Sequence, residues 1–246
     1  MFDRVLNRFR PRPGNACFCT LAIHEPYRRR AQLLLADAPA VPWIVLTDEP
    51  NDFSGSTVRA IRHQPTGPMA IDFLTKRLPP TGNGRGRPAY HDKRFALEAA
   101  LREFDTAIFV DADSRFERPP KLSPFPAGIC VVKELQTSIA DHLSRWGQYR
   151  LPVFQELAVD LFSDIDALKS ARWCSEALIA LTKDGRESKF FEAWARGAEF
   201  LQQRGVFTGE GGVIGLAAAH AGWTVNYKSI NKLAASIRHE STGPKS

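Results

Sequence analysis

Runs of four or five apolar residues, followed by stretches with helical spacing, recur along the chain and restrict it to one broad class of fold. Trp43-Ile44-Val45-Leu46 and Ala107-Ile108-Phe109-Val110 contain no polar residue. Strands of that kind are buried on both faces, the usual condition of a parallel sheet covered by helices. Strands are predicted over residues 16–23, 43–46, 57–63, 107–110, 128–132 and 177–181. Helices are predicted over 26–36, 92–104, 187–203 and 210–221, with further helical segments between the 128–132 strand and about residue 161. Asp92 is the expected cap of the second helix, with Leu97, Leu101 and Phe104 on one stripe. Residues 65–80 read as irregular, and Thr81-Gly82-Asn83-Gly84-Arg85-Gly86-Arg87-Pro88 as a flexible loop. The repeated alternation predicts an α/β protein, a three-layer α/β/α arrangement around a mostly parallel sheet. No internal repeat or separating linker is visible, so residues 16–246 read as one domain behind a basic, partly disordered tail over 1–15.

A chain of 246 residues with 43% hydrophobic and 24% charged content can bury a large core in a single domain. No apolar run approaches the roughly 18 residues that span a bilayer. Residues 1–15 are Arg-rich but lack a following h-region with a cleavage site, so a secretory signal is not expected. Cys17, Cys19, Cys130 and Cys174 show no Cys-x-x-Cys spacing and read as buried free thiols of a reducing, cytoplasmic compartment. The net charge of +6 admits an anionic partner. Arg4, Arg8, Arg10 and Arg12 form one cluster and Arg28, Arg29 and Arg30 another. A solvated tail and helix face is the first expectation, and weak peripheral contact with anionic membrane the second. Nothing resembles an aromatic RNA-binding strand or a recognition helix, so nucleic acid is not an expected partner.

The strand over 107–110 ends in Asp111-Ala112-Asp113. Strand ends of that kind are where α/β sheets present ligand-binding groups. Alternation along an extended backbone would send Asp111 and Asp113 to one side and Ala112 to the other. Two hard oxygen donors so placed suit Mg²⁺ or Mn²⁺ and, through the ion, a diphosphate. A chain of this length contains on the order of one Asp-x-Asp by chance, and Asp164-Ile165-Asp166 supplies a second copy with no apolar strand before it. Context therefore carries the signal, not the triplet.

Tyr90-His91-Asp92-Lys93-Arg94-Phe95-Ala96-Leu97 followed by the strand to Asp113 resembles the donor site of GT-A fold glycosyltransferases, in particular family 8, the glycogenin and bacterial galactosyltransferase group. Thr20-Leu21-Ala22, a short turn, then Tyr27 and Ala31 are similar to the family's start, and His239, Gly243, Pro244 and Lys245 to its C-terminal signature. The resemblance implies a metal held by Asp111, Asp113 and His239. Asp111 would also touch the ribose. Lys93 and Lys245 would face the diphosphate, and Tyr27 would stack on the base. Thr20 and Ala112 complete the implied donor contacts. An acid opening the late helix faces the acceptor in the family, which makes Glu210 the analogue, with Ser175 and Glu176 near the sugars. The implied reaction moves a hexose from a nucleotide-sugar, with UDP the expected nucleotide, to a hydroxyl acceptor. Retention would need no dedicated base, because the leaving phosphate can take the proton. Inversion would make Glu210 the base.

Thr208-Gly209-Glu210-Gly211-Gly212-Val213-Ile214-Gly215 does not read as a phosphate loop, since its glycines match neither common pattern and no strand clearly leads in. Three rival readings remain open. A sugar nucleotidyltransferase should carry a Gly-rich loop after the first strand, and residues 22–26 contain no glycine. A nucleotide-sugar binding module without turnover would keep the donor residues and lose acceptor contacts. A basic interaction protein would depend on the arginines alone.

Overall fold

The computed structural model describes residues 15–66, 89–132 and 137–240. Its strands are β1 (Ala16–Ala22), β2 (Trp43–Thr47), β3 (Val58–Arg62), β4 (Thr106–Val110), β5 (Ser114–Phe116), β6 (Gly128–Val131), β7 (Leu178–Thr182) and β8 (Ile237–His239). Its helices are α1 (Glu25–Asp37), α2 (Lys93–Glu103), α3 (Ile139–Trp146), α4 (Leu151–Phe162), α5 (Ala167–Ser170), α6 (Glu187–Gln203), α7 (Glu210–His220) and α8 (Asn231–Ala234).

All strands but β5 and β8 form one six-stranded sheet in the order β3-β2-β1-β4-β7-β6. Neighbours from β3 to β4 run parallel, whereas β7 is antiparallel to both β4 and β6. The protein is therefore α/β with a mostly parallel sheet, as its alternation predicts. The direction of β7 is not written in its residues: Leu178 to Thr182 is buried at every position, and a strand buried on both faces has the same pattern either way.

Side chains along each strand alternate between two cores. Phe18, Trp43, Val45, Ile108 and Val110 pack with Leu34 of α1 and Leu233 of α8. Cys19, Ile44, Leu46 and Phe109 pack with Leu97 and Leu101 of α2 and, beyond them, Trp194 of α6. Helices on both faces make the arrangement compatible with three layers. Helix α1 opens with Glu25 and a Pro in its first turn, and buries Ala31, Leu34 and Leu35 at helical spacing.

Helix α2 matches its predicted span, but Asp92 does not cap it. A turn of 3-10 helix, Tyr90–Asp92, leads straight in, and the Asp92 side chain makes no cap bond. It accepts instead from the Thr66 N–H at 2.9 Å and from the Thr66 hydroxyl, and meets His63 Nε2 at 2.9 Å. Phe104, expected on the helix stripe, follows the last turn in extended backbone.

The four cysteines are buried and unpaired. Burial pushes the Cys17 and Cys130 thiols up to about 12, so they are inert apolar filling at neutral pH. Among the described residues no helix is long and apolar enough to cross a membrane. The Arg28 cluster is largely engaged: Arg28 pairs with Asp48 at 2.8 Å and Asp52 at 2.6 Å, and Arg29 pairs with Glu25. The clustered arginines of the tail lie outside the described residues.

β1 and β4 are adjacent, yet the chain leaves β1 toward β2 and β3 while β7 and β6 lie on the far side of β4. That is a topological switch point, and the crevice outside the carboxyl ends of β1 and β4 is where such sheets bind ligands.

Candidate functional site

A cleft of about 610 Å³ opens at that crevice. The end of β1 supplies Leu21 and Ile23, α1 supplies Tyr27, and the 3-10 turn and α2 supply Tyr90 and Lys93. Asp111, Ala112 and Asp113 line it from the end of β4, with His239 from β8 and Glu210 from α7. Ser175 and Glu176, which precede β7, line it as well.

Asp111 and Asp113 converge by a turn, not by strand alternation. β4 stops at Val110, the Asp111 N–H donates to the Ala177 carbonyl at 3.0 Å, and the Ser114 N–H closes back on the Asp111 carbonyl at 3.0 Å. The chain reverses there into β5, which pairs antiparallel with β8 so that Ser114 faces His239. The Glu240 N–H donates to the Asp113 carbonyl at 2.8 Å and fastens the end of the ribbon. His239 Nε2 consequently lies 3.5 Å from Asp113 Oδ1. The ribbon is tied to α1 by Arg115, whose Nε and Nη2 donate to the Asp37 carboxylate at 2.6 and 2.7 Å. That bidentate pair, with the Phe116 N–H at 3.0 Å, holds the Asp37 carboxyl below the usual range.

Asp111, Asp113 and His239 each offer a ligand atom, all within 4.8 Å of one another, and form the one such group among the described residues. Ligands at about 2.1 Å from an octahedral ion lie about 3 Å apart when adjacent and about 4 Å apart when opposite. Small side-chain rotations would close the group on an ion. The donor set, two carboxylates and an imidazole, could hold a divalent ion.

The charges around it leave room for a cation. Lys93 Nζ is buried 3.0 Å from Asp111 Oδ1 and 3.6 Å from Glu210 Oε1, and donates to the Glu176 carbonyl at 3.2 Å. Burial works against its charge, but Asp111, Glu210 and Glu176 outweigh it and hold the ammonium above the ordinary lysine range. Burial also pushes the Asp111 carboxyl up; Lys93 offsets only part of this, and Asp113 and Glu210 push the same way as burial. Arg30 approaches Asp113 only to 3.9 Å. A divalent ion would relieve that excess of buried negative charge.

One predicted position sits elsewhere. Thr20 is fully buried within β1 on the side of Phe18 and Ala22, and Leu21 takes the place toward the cleft. Lys245 lies outside the described residues. Lys93 is in the cleft, but its charge is engaged by the protein's own carboxylates. The second triplet is a helix-start turn: the Asp166 N–H donates to Asp164 Oδ1 at 2.8 Å, and exposed Asp166 pairs with Lys169.

His24, Tyr90, His142, Arg150 and Trp173 also line the cleft and are absent from the sequence expectations. Tyr90 stands in the quoted motif, three residues before Lys93. Burial, with Glu210 and Tyr27 adding, pushes its phenol up to about 12, so it is a neutral hydroxyl. His24 has φ +70°, rare for a residue with a side chain, and its N–H donates to Asp48 Oδ2 at 3.1 Å. Nothing in its neighbours marks such a backbone beforehand.

The glycines of 209–215 have a packing reason. A Cβ on Gly211 would stand 2.3 Å from the Cys174 carbonyl oxygen, and one on Gly215 only 1.9 Å from that of Arg172. The Cys174 N–H donates to the Gly211 carbonyl at 3.1 Å. Helix α7 is thus pressed onto the backbone of 172–174, which fixes Glu210 beside Lys93. Comparison with protein-family models and with curated proteins finds no match for this chain.

Proposed function

We propose that this chain is a metal-dependent glycosyltransferase of the GT-A kind, moving a hexose from a nucleotide-sugar, with UDP the expected nucleotide, to a hydroxyl acceptor. The observation that carries the reading is the convergence of Asp111, Asp113 and His239 at the switch point of the sheet. Asp111, Asp113 and His239 would hold Mn²⁺ or Mg²⁺. Once bound, the ion supplies Lewis-acid neutralisation of the diphosphate leaving group.

The chain's own residues divide the remaining work. Tyr27 and Tyr90 provide aromatic surface where a base can stack. Lys93 fixes the orientation of Asp111 and Glu210 and offsets part of their negative charge. Glu210 is buried against Lys93, so its carboxylate is already engaged by the protein's own ammonium. That pairing favours a retaining course, in which the leaving phosphate takes the acceptor's proton and no dedicated base is required.

The test is Mn²⁺-dependent release of UDP from a panel of UDP-sugars, wild type against Asp113→Asn. Release by the wild type and its loss of about a hundredfold or more in the variant is expected. Equal release by both would sink the metal-site reading. Tight UDP binding with no turnover on any donor would favour a nucleotide-sugar binding module.

A further inference from the structure

Part of the cleft wall has no task in handling a nucleotide-sugar diphosphate. His142 of α3, Arg150 at the end of the 3-10 turn Gln148–Arg150, Trp173 and Thr208 form it. Among the described residues Arg150 makes no ion pair; its Nη1 meets Thr208 Oγ1 at 3.4 Å, and its Nε is buried without a hydrogen-bond partner. The guanidinium lies in a slot between two glycines. A Cβ on Gly147 would stand 2.9 Å from Nη2, and one on Gly209 would stand 3.0 Å from Nη1. Any side chain at either position would displace it. Gly209 also needs its φ of +97° to start α7.

The imidazole beside it is equally set. His142 stacks on Trp173 with centroids 3.6 Å apart and planes 7° apart, and its Nδ1 is buried with no partner. Trp173 is wedged in turn against the first turn of α7, where a Cβ on Gly211 would come within 2.8 Å of the indole. Burial, then Arg150, lowers the His142 pKa, so the ring is neutral at pH 7 and can donate or accept. A fixed guanidinium with free donors, a neutral imidazole and a hydroxyl make a fork for a carboxylate or phosphate group.

Resting on the glycosyltransferase reading of this cleft, we propose that Arg150, with His142 and Thr208, forms an acceptor subsite that takes an anionic group. The acceptor hydroxyl then belongs to a molecule carrying a phosphate or carboxylate. The donor diphosphate is already served by Asp111, Asp113 and His239, so the free fork is left to the second substrate. The anion can be part of a soluble sugar or of a lipid headgroup, and both present the same chemistry to Arg150.

The test measures binding by titration calorimetry on the full chain, for wild type, Arg150→Gln, Arg150→Lys and Asp113→Asn. The probes are hexose 6-phosphates and hexuronates against the matching neutral hexosides, phosphatidylglycerol vesicles against phosphatidylcholine vesicles, and UDP with Mn²⁺. Anionic probes are expected to bind the wild type and Asp113→Asn alike, to weaken about tenfold in Arg150→Gln, and to recover only in part in Arg150→Lys. Mn²⁺-UDP affinity should be unchanged by Arg150→Gln, which a merely structural role would not spare. Binding of the soluble anions identifies a soluble acceptor, and binding of anionic vesicles alone identifies a lipid one. Failure of the wild type to prefer any anionic probe, or a loss of UDP affinity in Arg150→Gln as large as that of the sugar anion, overturns the proposal. Failure of the wild type to bind Mn²⁺-UDP would sink the glycosyltransferase reading, whatever the anions do.

Discussion

His91 and Lys93 lie two residues apart and show how differently the same buried neighbourhood treats two basic side chains. Lys93 stays charged because Asp111 and Glu210 stand 3.0 and 3.6 Å away. His91 is almost fully buried and receives the Trp194 indole N–H at Nδ1, at 3.4 Å. Burial pulls its pKa from 6.5 to about 4, with Glu210 opposing and Arg94 assisting. The folded protein therefore keeps this imidazole neutral down to about pH 4, while the unfolded chain takes up its proton near pH 6.5. Protons favour the unfolded chain across that window, so stability is full above it and falls as pH drops through it. The loss attributable to this ring is about 3 kcal/mol. Urea midpoints at pH 7 and pH 4.5, wild type against His91→Gln, should show a smaller acid-side fall in the variant. Parallel falls in both would contradict the assignment.

Among the elements, α7 and the β5–β8 ribbon do the most to assemble the site, and they were unequally legible. The glycines of 209–215 were readable as failing both phosphate-loop patterns, but their purpose, contact with the backbone of 172–174, depends on a segment some forty residues away. β5 and β8 have three residues each, too few for any periodicity, so the route by which His239 reaches Asp113 could be implied only by resemblance. The pairing of Asp111 with Asp113 was legible, whereas its cause, a turn after the strand, was not. Gly215→Ala tests the role of α7. Its Cβ would meet a carbonyl oxygen at 1.9 Å that no rotamer can move, so a loss of about 3 kcal/mol is expected in chemical denaturation. Gly185→Ala is the control: it meets nothing within 4 Å, and only its φ of +91° costs, about 1 kcal/mol. Equal effects would mean that close packing of α7 is not what these glycines provide.

Across the whole molecule, alternation of apolar strands and helices was enough to place a mostly parallel sheet, whereas the strand order that makes a switch point between β1 and β4 leaves no mark in any one strand. The part of the cleft wall formed by α3, α7 and the segment before β7 is a product of tertiary packing. His142, Arg150 and Trp173 carry no local mark of it. The proposed function requires the switch-point crevice to bind a diphosphate through a metal held by Asp111, Asp113 and His239. Calorimetric titration of UDP, with Mn²⁺ and again with a chelator, tests it most directly in the wild type and Asp113→Asn. Mn²⁺ should strengthen UDP binding by about tenfold or more in the wild type and by much less in the variant. UDP affinity that ignores Mn²⁺, or an equal gain in both proteins, would contradict it.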